Sequence, residues 1–205
     1  MKPKLKLNHI KDLHDARYCA AIGVHLLSFR LEDSAEHAIA PKSVAGIMGW
    51  LSGPIGVGEF DDSDGAAINE IVTATQLTWI SLPFDYPVAE AAEIKAHLIF
   101  RGPEAELNLS GLGRMQTLAE RFPEALFEFS AGPDTPTWEA LKAEGLMARS
   151  ILRFSEPTPI YALLEREGHP PHAFSLGAFV EEPDGALDYE TCDEFFAQYE
   201  ALSPA

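Results

Sequence analysis

Cationic residues are scarce in this chain, with 15 Lys and Arg against 32 Asp and Glu and a formal net charge of −17. A field of that sign repels nucleic acid phosphates and anionic membrane surfaces, so neither is an expected partner. Any phosphorylated ligand would need local cations or amides to overcome the global repulsion. Cysteine is scarcer still. Cys19 and Cys192 both lie in helix-like segments and read as small buried hydrophobes, neither a disulfide nor a metal pair. No apolar run approaches the roughly 18 residues of a membrane span. The N-terminal "MKPKLKLNHI" is charged but has no apolar stretch long enough for a signal peptide, so a cytoplasmic protein is expected. The seven His residues offer no metal-ligand spacing. "HPPH" at 169–172 reads as a loop entering the last strand, and neither a metal nor another cofactor is expected.

Short apolar runs bounded by Gly, Pro or polar residues are abundant. "LKLN" (5–8), "HLLSF" (25–29), "IGVGEF" (55–60), "LTWISL" (77–82), "HLIFRG" (97–102), "LFEFSA" (126–131), "ARSILRF" (148–154) and "HAFSLGAF" (172–179) read as strands. Between them lie amphipathic stretches such as "DARYCAAIG", "PKSVAGIMGWL", "DGAAINEIVTA", "TPTWEALKAEG", "TPIYALLEREG" and "YETCDEFFAQYEAL". Several open on Asp, Ser or Thr and close on Gly, the start and stop chemistry of helices. Eight strands at even spacing predict a single-domain (β/α)8 barrel spanning 1–205, with a doubly wound open sheet as the alternative. Trp50, Trp79 and Trp138 read as core or barrel-wall aromatics.

Side chains alternate inward and outward along a barrel strand. If Leu5 and Leu7 face the helices, Lys6 and Asn8 face the interior. Asn8 then sits at the C-terminal rim, where this fold builds its sites. By the same alternation His9 points away from Asn8's side.

The stretch "KLNHIKDLHDARYCAAIGVHLLSFRLEDS" resembles the opening of the phosphoribosylanthranilate isomerase family. Lys6 to Ile10 fall on that family's Lys–Ile–Cys–Gly–Ile, Asp15 and Ala16 on its Asp–Ala, and Gly23, Phe29 and Ser34 follow in register. "IGVGEF" resembles its third strand. Gln76 and Leu77 resemble its Gln–Leu–His–Gly strand, and "FSLGAFVEEPDGALDYETCDEF" its closing segment. The resemblance implies a TIM barrel of tryptophan biosynthesis catalysing an Amadori rearrangement of an aminoaldose to an aminoketose. That reaction needs a general acid to open the ribose ring and a general base to take the C2′ proton.

This sequence departs from the family at the positions that carry the chemistry. The resemblance puts the catalytic Cys where Asn8 stands, and an amide cannot accept that proton near neutral pH. The general acid, an Asp, has its nearest match in Glu128, which could serve if burial raised its pKa. The carboxylate-binding Arg falls on Glu36, which would repel, or after a one-residue slip on His37. Of the phosphate-binding turns, Ser175 and Gly177 remain, while "LRFSEPTPIYAL" has no glycine; Arg153 there reads as a surface salt bridge. Lys6, Asn8, Gln76, Glu128 and Ser175 should meet at the C-terminal rim, with Glu36 or His37 above them. Three readings follow: an isomerase with unusual catalytic residues, a barrel of that type kept to bind a different small ligand, and a related isomerase acting on another sugar or ketone.

Overall fold

The computed structural model describes residues 2–32, 38–132, 135–165, 170–177, 180 and 186–202. Among these, strands and helices alternate eight times: β1 (Lys4–Leu7), α1 (Leu13–Ala21), β2 (Leu26–Arg30), α2 (Pro41–Gly49), β3 (Ile55–Glu59), α3 (Gly65–Thr75), β4 (Trp79–Pro83), α4 (Val88–Ala91), β5 (His97–Glu106), α5 (Leu109–Arg121), β6 (Leu126–Ser130), α6 (Pro136–Ala143), β7 (Ser150–Phe154), α7 (Thr158–Leu164), β8 (Ala173–Leu176) and α8 (Tyr189–Leu202). Each strand pairs in parallel with the next, and β8 closes on β1 with Lys6 opposite Ser175. The barrel is closed, so the open-sheet alternative falls away. No helix among the described residues is long and apolar enough to cross a membrane.

Local chemistry explains the helix starts. Asp12, Asp64 and Asn108 precede α1, α3 and α5, and their side chains accept backbone N–H groups at 3.0, 2.8 and 2.9 Å. Those bonds satisfy donors that the helix itself leaves unpaired. Pro41 and Pro136 sit in first turns, where a missing N–H costs nothing. On β3, a Cβ at Gly56 would lie 2.5 Å from a Leu77 methyl, and one at Gly58 would lie 2.9 Å from Leu31. Glycine there lets the covering layer lie close on the strand.

The apolar residues divide between two regions. Outward-facing Leu5, Leu7, Leu27, Phe29, Phe127, Phe129 and Phe174 pack against the helices in one large core. Inside the barrel, Leu26, Val57, Ile99, Leu126, Ile151 and Ala173 form a separate plug against Trp79. Each of its larger aliphatic side chains contributes about 1.5–3 kcal/mol through burial. Trp138 is buried and Trp79 half-buried, but Trp50 is 79% exposed. Trp50 follows the last residue of α2, beyond the face formed by Val44 and Ile47, so it is neither core nor barrel wall. Cys19 and Cys192 are buried free thiols on α1 and α8, and burial pushes the Cys192 thiol up to about 12.

Candidate functional site

Alternation along the strands puts the next inward residues above the plug: Lys6, Ser28, Glu59, Ser81, Arg101, Glu128, Arg153 and Ser175, one from each strand. The three serines are small and fully buried. They leave lumen space for the Lys6 stem, which is also wholly buried.

The Lys6 ammonium lies 3.1 Å from Glu59 Oε1 and 2.9 Å from Glu128 Oε2. It also donates to Asn8 Oδ1. Asn8 Nδ2 donates to Ser175 Oγ at 3.0 Å, and Ser175 Oγ donates to Glu128 Oε1 at 2.8 Å. Lys6, Asn8, Ser175 and Glu128 therefore close a ring of polar contacts across β1, β6 and β8. Both functional ends of the Asn8 amide are used within it.

Cations of three other strands surround this ring. Arg153 Nε is 3.7 Å from Glu128 Oε1, so it belongs to the lumen and is not a surface salt bridge. Arg101 reaches Glu59 at 3.8 Å, Asp61 at 2.7 Å and the Phe60 carbonyl at 2.7 Å. Arg30 is 3.7 Å from Asp61. Lys6, Arg30, Arg101 and Arg153 thus pair with Glu59, Asp61 and Glu128, a concentration of cations in a chain that is strongly acidic as a whole.

These cations decide the protonation of the two buried acids. Burial pushes the Glu59 carboxyl up, but Lys6, Arg101 and His9 outweigh it and hold it well below the usual carboxylate range. Burial acts on Glu128 in the same direction, and Lys6 and Arg153 again prevail. Glu128 is therefore an anion near neutral pH. The raised pKa that a general acid at this position requires is absent, because two cations outweigh desolvation.

His9 departs from alternation. Its φ is +57°, in the left-handed region, while Ile10 is already bonded to β2 through the Ser28 carbonyl. The imidazole does not follow the outward direction expected for the residue after Asn8. Its Nε2 lies 3.8 Å from Glu59 Oε2, and the side chain is 31% exposed. At the same rim, Glu32 Oε2 accepts the N–H groups of Asp61, Asp62 and Ser63 at 2.8, 3.1 and 3.4 Å. This bond set ties the chain after β2 to the turn after β3.

Lys6, Asn8, Glu128 and Ser175 thus come together as expected, and Gly177 follows β8 at the same rim. Gln76 does not join them. It ends α3 in a left-handed conformation (φ +59°), is exposed, and donates to the Thr73 carbonyl. β4 begins only at Trp79, so Gln76 lies at the opposite end of the barrel. Glu36, with Ser34 and His37, lies outside the described residues, as does His169 of "HPPH". No group of three His, Cys, Asp or Glu among the described residues is placed to hold a metal ion. Glu59 and Arg101 were missed from sequence, although each is a charged residue near the end of an apolar strand, a position that alternation turns inward.

Several solved structures share this barrel over nearly its whole length. A phosphoribosyl anthranilate isomerase from Thermus thermophilus matches over 97% of this chain and 99% of its own, at 22% identity and a TM-score of 0.75. The fold is that of phosphoribosyl anthranilate isomerase. A second isomerase of this name, in complex with reduced 1-(o-carboxyphenylamino)-1-deoxyribulose 5-phosphate, has a TM-score of 0.79 at 17% identity, over 97% and 99% of the two chains. KGPDC from Streptococcus mutans also matches, at 10% identity and a TM-score of 0.67, over 98% and 99%. The isomerase fold therefore extends to proteins of other names, and the site has to carry the functional argument. No protein-family model matches the chain, and no curated protein is significantly similar to it.

Proposed function

We propose that this chain is a barrel of the phosphoribosyl anthranilate isomerase type that binds a small phosphorylated ligand at its mouth, and that its rate of Amadori rearrangement lies far below that of an isomerase with the usual catalytic residues. The carrying observation is the closed ring of Lys6, Asn8, Ser175 and Glu128. The strand-one position that the family gives to a base holds an amide with both ends engaged. The strand-six position that should hold an acid is a carboxylate kept ionised.

The phosphorylated ligand is supported by local charge. Arg153, Ser175 and Gly177 stand at the ends of β7 and β8, where this fold often binds phosphate. Lys6, Arg30, Arg101 and Arg153 gather positive charge there in a chain that is strongly acidic as a whole. A similar fold holds a ligand bearing both a phosphate and a carboxylate. A planar guanidinium at a strand end suits phosphate oxygens.

Two measurements on the purified protein test this reading. Calorimetry with reduced 1-(o-carboxyphenylamino)-1-deoxyribulose 5-phosphate should detect binding that weakens on Arg153→Met. Turnover of phosphoribosylanthranilate should fall several orders of magnitude below that of a family member with its Cys base, since a positioned general base contributes roughly 10²–10⁴ in rate. Robust growth of a tryptophan auxotroph that lacks its own isomerase, complemented with the unaltered protein, would overturn the low-rate half of the reading. Absence of binding would overturn the ligand half.

A further inference from the structure

We propose that His9 is the proton-transfer residue of this mouth, taking over the work that Asn8 cannot do. The inference rests on the mouth being the ligand site and adds to that reading the group that acts there.

Three observations converge on His9, the residue that directly follows Asn8. Its backbone is left-handed, a conformation Gly adopts freely and an L-residue adopts at a cost, so a side chain is kept where its absence would relieve strain. That conformation directs the ring over the lumen, as the 3.8 Å approach of Nε2 to Glu59 on β3 shows. The ring is nonetheless accessible to a ligand at 31% exposure, whereas Lys6, Glu59 and Glu128 are sealed beneath it.

The surroundings suit an imidazole that exchanges protons. Glu59 is itself fixed by Lys6 from β1 and Arg101 from β5. It therefore sets a stationary anion 3.8 Å from the ring, close enough to offset the charge of an imidazolium formed there. On that side too, Arg30 on β2 pairs with Asp61 after β3, and Glu32 is bonded to the same turn. Glu59 and Glu128 stay ionised near neutral pH. A carboxylate held that far down is a poor base, whereas imidazole ordinarily changes charge close to neutrality.

The step assigned to His9 starts from a ring-opened, protonated imine of a phosphorylated aldose. With Nε2 turned to Glu59, the other nitrogen of the neutral ring, Nδ1, takes the hydrogen on C2 as a proton. The C–H pair becomes the C1–C2 double bond, and the imine π pair moves onto nitrogen, leaving a neutral enolamine. The enol becomes the ketone by gaining a proton at C1 and losing its hydroxyl proton, and the imidazolium discharges to solvent.

The test uses the full chain with phosphoribosylanthranilate as substrate and the reduced product analogue as binding probe. The parent should show slow turnover above the uncatalysed rate, slowed further by deuterium at C2, with kcat/KM rising through the neutral pH range. His9→Gly and His9→Asn both tolerate the left-handed backbone, so both should fold with a Tm at or near the parent's. Each should lose about 10²-fold or more in kcat while binding the analogue as the parent does. Turnover unchanged in both variants, or no turnover by a parent that binds the analogue, would overturn the role of His9 and leave the ligand site standing. A parent that neither binds nor turns over would overturn both.

Discussion

The lumen of this barrel has two halves built on opposite principles. Below, Leu26, Val57, Ile99, Leu126, Ile151 and Ala173 are packed on Trp79 with no charge among them. Above, Glu59 and Glu128 at the next inward positions of β3 and β6 are equally buried and ion-paired to Lys6 of β1. One dihedral alternation separates a plug that stabilises the fold from a network whose desolvation opposes it. Ion pairs this deep are often no better for stability than apolar residues of the same shape. The upper half is thus better explained by what it presents at the mouth than by what it adds to stability.

Breaking each half in turn sharpens the contrast. Lys6→Met should cost about 3–5 kcal/mol, because it strands two desolvated carboxylates without their shared cation. Adding Glu59→Gln and Glu128→Gln to Lys6→Met should recover much of that loss, since the buried charge goes with its partner. In the plug, Ile151→Ala should cost about 2–5 kcal/mol through lost burial and an unfilled cavity. No second polar change should rescue it. Urea unfolding at pH 7 measures all three, and a triple variant no more stable than Lys6→Met would show that the upper half is held by more than charge pairing.

The same contrast marks how far sequence reasoning reached. All eight strands were legible, six with both ends within two residues, because apolar runs bounded by Gly, Pro and polar residues carry the period-two signal directly. β5 runs four residues past its expected end and β8 stops three short of it. Lys6, Asn8, Glu128 and Ser175 converged because a closed barrel transmits alternation from one strand to the next. Gln76 failed for a local reason: the dipeptide Gln76–Leu77 resembles a strand, but the chain there is still leaving α3 in a left-handed turn. His9 failed for a related one, since alternation predicts nothing once φ turns positive. The charge state of Glu128 was beyond reach of sequence, because it depends on Lys6 and Arg153 brought from distant strands.

Acid should separate the two ends of the barrel next. Glu59 and Glu128 have folded pKa values below their ordinary range. Their stabilising contribution is therefore complete above about pH 4.5, the ordinary Glu value, and is lost as pH falls through the depressed folded values. At the N-terminal end, His25 before β2 and His172 before β8 have pKa values lowered by burial, with Lys4 adding to the effect. They are held neutral, so their contribution begins to fall already as pH drops below 6.5. Tm measured from pH 8 to pH 3 should fall in two stages, a shallow decline below 6.5 and a steeper one below 4.5. In Lys6→Met the second stage should be flatter, because the variant has already lost what acid removes. A parent-like acid limb in Lys6→Met would mean that other carboxylates govern it.

The smallest expected effect lies at the junction of the two halves with solvent. His9 holds a left-handed backbone at φ +57°, and such a conformation costs an L-residue about 1–2 kcal/mol. Glycine occupies it without that penalty but loses more chain entropy on folding, which offsets part of the gain. His9→Gly should therefore be neutral or more stable by up to about 1 kcal/mol. The loss of the ring's 3.8 Å contact with Glu59 subtracts little, because Glu59 keeps Lys6 and Arg101. Chemical denaturation resolves a difference of that size when midpoint and slope are fitted together. A clear loss of stability in His9→Gly would mean that the imidazole braces the rim. No loss, combined with the fall in turnover expected above, would mean that this side chain is kept for what it does to a ligand.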